Sequence, residues 1–155
     1  MSKKSKLIIA ILIVIITVCS NLIDKRVEAN NYTDKHYEFY FNASKTKTYV
    51  ASSGEEKMDD SKSYISCNYA HEPYVSGKLH FIAQAHGSKK QKSGFKACTY
   101  KGKHTPSYVI YKGDAKYLTN FIYETNKKYG NIHVKKNGPA ATFKGYWSPD
   151  NYNKY

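Results

Sequence analysis

The chain of 155 residues carries a formal net charge of +13, from 25 Lys and Arg against 12 Asp and Glu. That length allows one globular domain with a tail. Sixteen tyrosines and an aromatic content of 15% exclude a disordered chain despite the basic charge. Four prolines and nine glycines exclude a collagen-like or proline-rich one.

The first element is a leader. Lys3, Lys4 and Lys6 form a positive start, and Leu7 to Val18 is apolar apart from Thr17. Val27-Glu28-Ala29 then places small residues three before and directly before a cut. This is the pattern of a secretory signal peptide over residues 1–29, with cleavage between Ala29 and Asn30. The alternative is an uncleaved membrane anchor formed by residues 7–23. Against it, the apolar run is shorter than the roughly 20 residues of a spanning helix, and Ser20 and Asn21 interrupt it. Residues 30–155 then form a single secreted domain whose cations are all lysine, because Arg26 leaves with the leader.

Along the secreted part the apolar period is two. Tyr37, Phe39 and Phe41 alternate with Glu38 and Tyr40. Ser63, Ile65, Cys67 and Tyr69 alternate with Lys62, Tyr64, Ser66 and Asn68. From Lys78 to His86, Leu79, Phe81, Ala83 and Ala85 form one face, and Lys78, His80, Ile82, Gln84 and His86 the other. Phe95 to Tyr100 fits poorly: Cys98 shares a face with Lys96 and Tyr100, which requires a bulge or places the cysteine outside. Residues 114–129 read either as a helix, with Leu118, Phe121, Ile122 and Thr125 at helical spacing, or as a strand. The alternation of Tyr117, Thr119, Phe121 and Tyr123 favours the strand. Ile132 and Val134 alternate with His133 and Lys135. Turns fall at Ser52-Ser53-Gly54, Gly87-Ser88, Lys112-Gly113-Asp114 and Asn137-Gly138-Pro139. Short alternating runs between turns predict a mainly β chain, a small antiparallel sandwich or barrel.

In an oxidising compartment Cys67 and Cys98 form an even pair and predict one disulfide, contributing about 3–4 kcal/mol by chain entropy. The alternative is two free buried thiols. Lys89, Lys90 and Lys92, followed by Lys96, Lys101 and Lys103, form the densest cationic stretch without an intervening acid. The alternative there is an ordinary solvated loop. Lysine ammonium groups are point charges rather than bidentate phosphate forks, so the patch predicts diffuse attraction to anionic envelope polymers or lipids, with no genomic nucleic acid as partner. His80 and His86 stand about 20 Å apart along an extended strand and cannot share a metal. His36, His71, His104 and His133 show no ligand spacing, and Glu55-Glu56 and Asp59-Asp60 read as a solvated acidic loop. No catalytic residues, metal site or cofactor motif stand out. A thiol hydrolase built on Cys67 and His71 trails, because the disulfide competes for Cys67.

The C-terminal stretch Gly145-Tyr146-Trp147-Ser148-Pro149-Asp150 carries the only tryptophan beside a turn. With the leader and the turn-separated strands, it resembles a family of small exported Gram-positive proteins classed as a domain of unknown function. More distantly it is similar to the secreted lactococcin-type sandwich bacteriocins. The likeness covers roughly residues 30–152, but its specific part is this handful of C-terminal residues. It includes neither the cysteine pair nor the lysine loop, and it brings no catalytic residues. It implies a bacteriocin-like or effector activity at the cell envelope. A non-toxic extracellular binding domain is the alternative. Trp147 itself reads most simply as a plug at the end of the sandwich.

Protein collected from culture medium is expected to begin at Asn30 on N-terminal sequencing. Membrane-bound material beginning at Met1 favours the anchor instead.

Overall fold

The computed structural model describes residues 33–72 and 78–150. The expected leader, its cleavage site at Ala29 and Asn30, and the alternative anchor lie outside the described residues. Eleven strands follow one another: β1 (Lys35–Phe41), β2 (Lys47–Tyr49), β3 (Glu55–Glu56), β4 (Ser63–His71), β5 (His80–Ser88), β6 (Thr99–Tyr100), β7 (Lys103–His104), β8 (Ser107–Tyr111), β9 (Ala115–Leu118), β10 (Tyr129–Lys136) and β11 (Ala141–Ser148). One sheet has the order β1-β11-β4-β9, and the other β2-β10-β5-β8, with β3 also pairing to β10. β6 and β7 form a separate small hairpin. Every pairing is antiparallel. The chain changes sheet at most of its connections, so each sheet is assembled from strands distant in sequence.

The two sheets bury their facing sides against each other. Tyr37, Phe39 and Phe41 of β1, Ile65 of β4, and Phe143 and Trp147 of β11 come from one sheet. Phe81, Ala83 and Ala85 of β5, Ile110 of β8, and Ile132 and Val134 of β10 come from the other. Phe81 is the cross-sheet contact, with ring centroids 5.2 Å from Phe39 and 5.0 Å from Phe143, both edge-on. Aromatic pairs in this geometry contribute about 0.5–1.5 kcal/mol beyond area burial. The alternating runs read from the sequence supply this core, and the result is a two-layer sandwich.

β11 lies between β1 and β4 and carries the C-terminal motif. Opposite the Lys144–Gly145 step the β4 register slips, so that Asn68 is an extra residue, a β-bulge. The strands close so tightly there that a Cβ on Gly145 would collide with the Ser66 carbonyl and crowd the Tyr37 hydroxyl. That hydroxyl donates to Ser66 O at 2.8 Å. Trp147 follows in the core, 1% exposed. Pro149 packs on Gly130, Ser63 Oγ donates to Pro149 O at 3.0 Å, and Ser148 Oγ donates to Asp150 O.

Asp150 closes the motif with a buried ion pair. Its Oδ1 lies 2.6 Å from Lys57 Nζ, and both side chains are fully buried. Met58 N donates to its Oδ2 at 3.0 Å. Lys57 also donates to Ser61 O at 2.6 Å, and Asn120 Nδ2 reaches the same carbonyl at 3.2 Å. Burial pushes the Asp150 carboxyl up, and the lysine and the Met58 N–H oppose it. The acidic stretch is therefore not uniformly solvated: Asp59 lies 3.6 Å from Lys57, while Glu56 pairs with Lys128 at 3.3 Å.

Several sequence expectations are corrected. Cys67 and Cys98 are both buried free thiols, not a disulfide. Cys67 lies inside β4, paired with Gly145, and its Sγ donates to Tyr69 O at 3.4 Å. Cys98 lies in the connection after β5, beside Gly87 of the second sheet and Ile122 of the turn after β9, and its Sγ donates to Lys96 O. Burial pushes the Cys67 thiol up to about 11, which keeps it protonated and unreactive at neutral pH. Gly87-Ser88 is the end of β5, not a turn. Tyr69 is exposed, because the bulge at Asn68 reverses its face relative to Cys67. Cys98 reaches the core without strand alternation, because its segment is a loop with a single bridge, Lys96 to Gly87. Residues 114–129 divide: Ala115–Leu118 form β9, and a helical turn follows, with Thr125 N bonding Phe121 O at 3.1 Å. Asn120 causes the break, as its Oδ1 accepts from Ile122 N at 3.2 Å.

Replacing Asp150 by Asn removes the nearer and fully buried counter-charge of Lys57, with only the more distant Asp59 left at 3.6 Å. The expected loss is about 3–5 kcal/mol in urea denaturation, whereas Lys57→Met combined with Asp150→Leu recovers most of it. Equal losses in the single and the double variant would contradict this account.

Candidate functional site

The six lysines singled out from the sequence are all exposed. Lys89, Lys90 and Lys92 ride on the loop that follows β5, and Lys96 re-enters it at a backbone bridge with Gly87, with mutual N–H to carbonyl distances of 2.9 and 3.1 Å. Lys101 and Lys103 belong to the β6–β7 hairpin, whose turn at Lys101-Gly102 has positive φ angles of 49° and 75°. Glycine tolerates that conformation at little cost. The hairpin base is tied by Thr105, which donates from N and from Oγ1 to Cys98 O at 2.9 and 3.0 Å. Cys98 packs beside Gly87, so loop and hairpin share one end of the second sheet. Among the described residues the ion pairs involve Lys35, Lys57, Lys116, Lys128 and Lys144. None of the six lysines pairs with a carboxylate there.

The lysine loop is fixed rather than free. Ser88 Oγ donates to Ser93 O at 2.5 Å and accepts from Lys90 N at 3.0 Å. Gly54 N donates to Gln91 O at 2.7 Å. The Phe95 ring lies so close to Gly54 that any side chain there would strike it. Its ring centroid is also 5.5 Å from that of Tyr49.

Under this loop lies a cluster that sequence spacing missed. β10 pairs with β2 through His133↔Tyr49, and with β5 through His133↔Gln84 and Asn131↔His86. These pairs bring His86 and His133 into a stack, with centroids 4.8 Å apart and planes 22° apart. Gln84 Nε2 donates to Thr105 O at 2.7 Å, leaving its Oε1 3.1 Å from His86 Nε2. That nitrogen therefore carries the proton, and the neutral ring accepts at Nδ1 from the Tyr49 hydroxyl at 3.1 Å. Phe95 O is a second acceptor for the same hydroxyl, also at 3.1 Å. Burial, the neighbouring His133 and Lys135 push His86 down to about 4. Burial, Lys135 and Lys47 lower His133 as well, and burial raises Tyr49. Alternation in the sequence places His86 and His133 on outward faces, and only strand pairing makes them neighbours.

Other titratable groups are dispersed. His80 is bonded to Asn137 and Lys78 O, and His104 to Thr99 Oγ1. An open cavity of about 660 Å³ lies between Ala70, Lys78, Leu79, Tyr111, Lys112 and Asp114. Asp114 is committed there to Tyr111 N and Lys116. Among the described residues no group of three or more His, Cys, Asp or Glu could hold a metal ion. The arrangement presents ammonium donors on a fixed loop, which suits binding of anions.

The histidine stack predicts a pH response. The folded chain keeps His86 neutral down to about pH 4, whereas the unfolded chain protonates it near 6.5. Between those values the unfolded state binds more protons, so stability falls as pH drops through the window. Urea midpoints measured from pH 7 to pH 4 are expected to decline, and His86→Gln flattens the decline. Equal slopes for the two proteins would show that the stack does not govern it.

Comparison with known proteins follows from this geometry only at the level of the family. No curated protein and no solved structure matches the chain. Residues 25–151 match the family described as Protein of unknown function (DUF2712). The match spans every described strand, the lysine loop, the histidine stack and the Asp150 ion pair, so the chain belongs to that family of proteins of unknown function.

Proposed function

We propose that this is a secreted, non-enzymatic binding protein that attaches to anionic cell-envelope polymers or lipids through Lys89, Lys90, Lys92, Lys96, Lys101 and Lys103. The observation that carries this reading is six exposed lysines at one end of a sheet, none of them in an ion pair among the described residues. Some described lysines elsewhere find acidic partners, as Lys144 does with Glu38 at 3.1 Å and Lys116 with Asp114 at 3.3 Å; what sets these six apart is their density along one stretch without an intervening acid. Unneutralised cations on a loop pinned by Gly54, Ser88 and Phe95 attract polyanions without first ordering the chain, which lowers the entropic cost of binding. A bacteriocin-like or effector action at the envelope is the form that the family resemblance implies. Inhibition of related strains by purified protein separates it from a non-toxic surface domain.

Retention on teichoic-acid-bearing cell walls tests the binding. Lys89→Gln, Lys90→Gln and Lys92→Gln together are expected to lower the salt concentration needed for elution, because screening tightens from about 10 Å at 0.1 M to about 3 Å at 1 M. Stability changes by no more than about 0.5 kcal/mol at such exposed sites. Identical elution of wild type and triple variant, or retention that ignores salt, would leave the loop as ordinary surface.

A further inference from the structure

The outer face of the second sheet is partly covered by Phe95 and the lysine loop. The outer face of the first sheet carries a different chemistry. The strand pairing sets it out in four rows. Tyr40 pairs with Thr142, which pairs with His71; Glu38 with Lys144 and Tyr69; His36 with Tyr146 and Ser66; and Ser148 with Tyr64 and Tyr117. Each row presents one exposed tyrosine: Tyr40 at 48%, Tyr69 at 40%, Tyr146 at 41% and Tyr117 at 41% exposure. Rows step by two residues, about 6.8 Å along the strands, so the ladder runs about 20 Å.

We propose that this tyrosine ladder binds a linear, uncharged polysaccharide. Three features select that partner. First, the site is long, with its four tyrosines spread over four rows and four strands, which suits a chain of repeating units rather than one compact molecule. Second, the acid and the base in these rows neutralise each other, Glu38 and Lys144 lying 3.1 Å apart. The face therefore lacks the cationic attraction that a nucleic acid or other polyanion requires, in contrast to the lysine loop. Third, a tyrosine offers an apolar ring face and a hydroxyl at once. A pyranose offers the complementary set, a C–H face and a rim of hydroxyl groups. An apolar protein partner leaves those tyrosine hydroxyls unsatisfied.

Neighbouring groups also hold the rings in place before any ligand arrives. Tyr146 stands edge-on to His36 at 5.6 Å, Tyr117 lies 5.7 Å from Tyr64, and Lys144 Nζ sits 5.4 Å over the Tyr69 ring. Rings already oriented lose little side-chain freedom on binding. The bulge at Asn68 is part of the device, since without it Tyr69 would share the buried side of Cys67.

The experiment is native affinity electrophoresis in gels cast with hydroxyethyl cellulose, glycol chitin, galactomannan or mannan. Isothermal titration with the β-1,4-linked hexamers of glucose and N-acetylglucosamine accompanies it. Wild type is expected to be retarded in at least one gel, equally at about 0.1 and 1 M salt, where the Debye length differs threefold. Tyr40→Ala, Tyr69→Ala and Tyr146→Ala are each expected to weaken binding at least about fivefold, by analogy with the loss of one stacking ring. The corresponding Phe variants, which keep the ring and the sheet packing, retain most of the retardation. The Lys89, Lys90 and Lys92 to Gln variant binds the neutral polymers like wild type, so failure here is distinguishable from failure of the lysine reading. Absence of retardation in all four gels overturns the proposal. So does retardation that the alanine variants leave unchanged. A concentration-dependent dimer that those variants dissolve also overturns it, assigning the face to a second copy of the chain.

Discussion

The buried pair between Lys57 and Asp150 holds the end of the sandwich together. Asp150 terminates the segment that begins with β11, and β11 is the inner strand on which β1 and β4 both register. Lys57 follows β3, which belongs to the opposite sheet. The 2.6 Å contact therefore ties one layer to the other. A buried ion pair is weak as a source of net stability but costly to break on one side. Its value here is specificity of register: Asp150 meets Lys57 and Met58 N together only when β11 is aligned as observed. The C-terminal motif is thus a structural clasp. Gly145 permits the close approach, Trp147 fills the core, Pro149 packs on Gly130, and Asp150 supplies the lock.

Three histidine-related properties converge under the lysine loop: a stacked pair, a tyrosine hydroxyl with two acceptors, and a low His86 pKa. Protonating His86 converts Nδ1 from acceptor to donor, which frees the Tyr49 proton for Phe95 O. The loop bearing the lysines is therefore anchored, through Phe95 O, on the hydroxyl that His86 also contacts. On the outer face of the first sheet the tyrosine rows are charge-balanced, and Tyr40, Tyr69, Tyr117 and Tyr146 are exposed among the described residues. The two faces divide the surface chemistry, cationic on one and aromatic on the other.

The free thiols fit the same picture. Cys67 and Cys98 are small apolar fillers, each against a glycine-bearing strand segment, Gly145 in one case and Gly87 in the other. Buried free cysteine behaves as a hydrophobe with a weak donor, and the raised pKa of Cys67 keeps it so. The described part of this small domain is held by its hydrophobic core, with the Phe39, Phe81 and Phe143 cluster joining the two sheets, while Cys67 and Cys98 are not bridged.

Sequence alone determined the class of fold. The period-two runs around Phe39, Ile65, Phe81 and Val134 place apolar groups on one face of a strand whatever its neighbours are, because side chains alternate by covalent geometry. It also located the lysine stretch, because charge density needs no third dimension. The tertiary structure decided everything that depends on which strand lies beside which. The cysteines looked paired because their number was even, and the fold placed Cys67 inside β4 and Cys98 in a loop beside β5, with both thiols free. Tyr69 turned outward because one extra residue, Asn68, shifted the phase, and no periodicity reveals a bulge before its partner strand is known. His86 and His133 are 47 positions apart in the chain by number alone, and only the register of β5 with β10 stacks them. Lys57 lies between two acidic pairs that read as a solvated loop, and burial against Asp150 turned it into half of the lock. Local chemistry is written in the order of residues; proximity is written in strand pairing, which arises only when the hydrophobic faces meet.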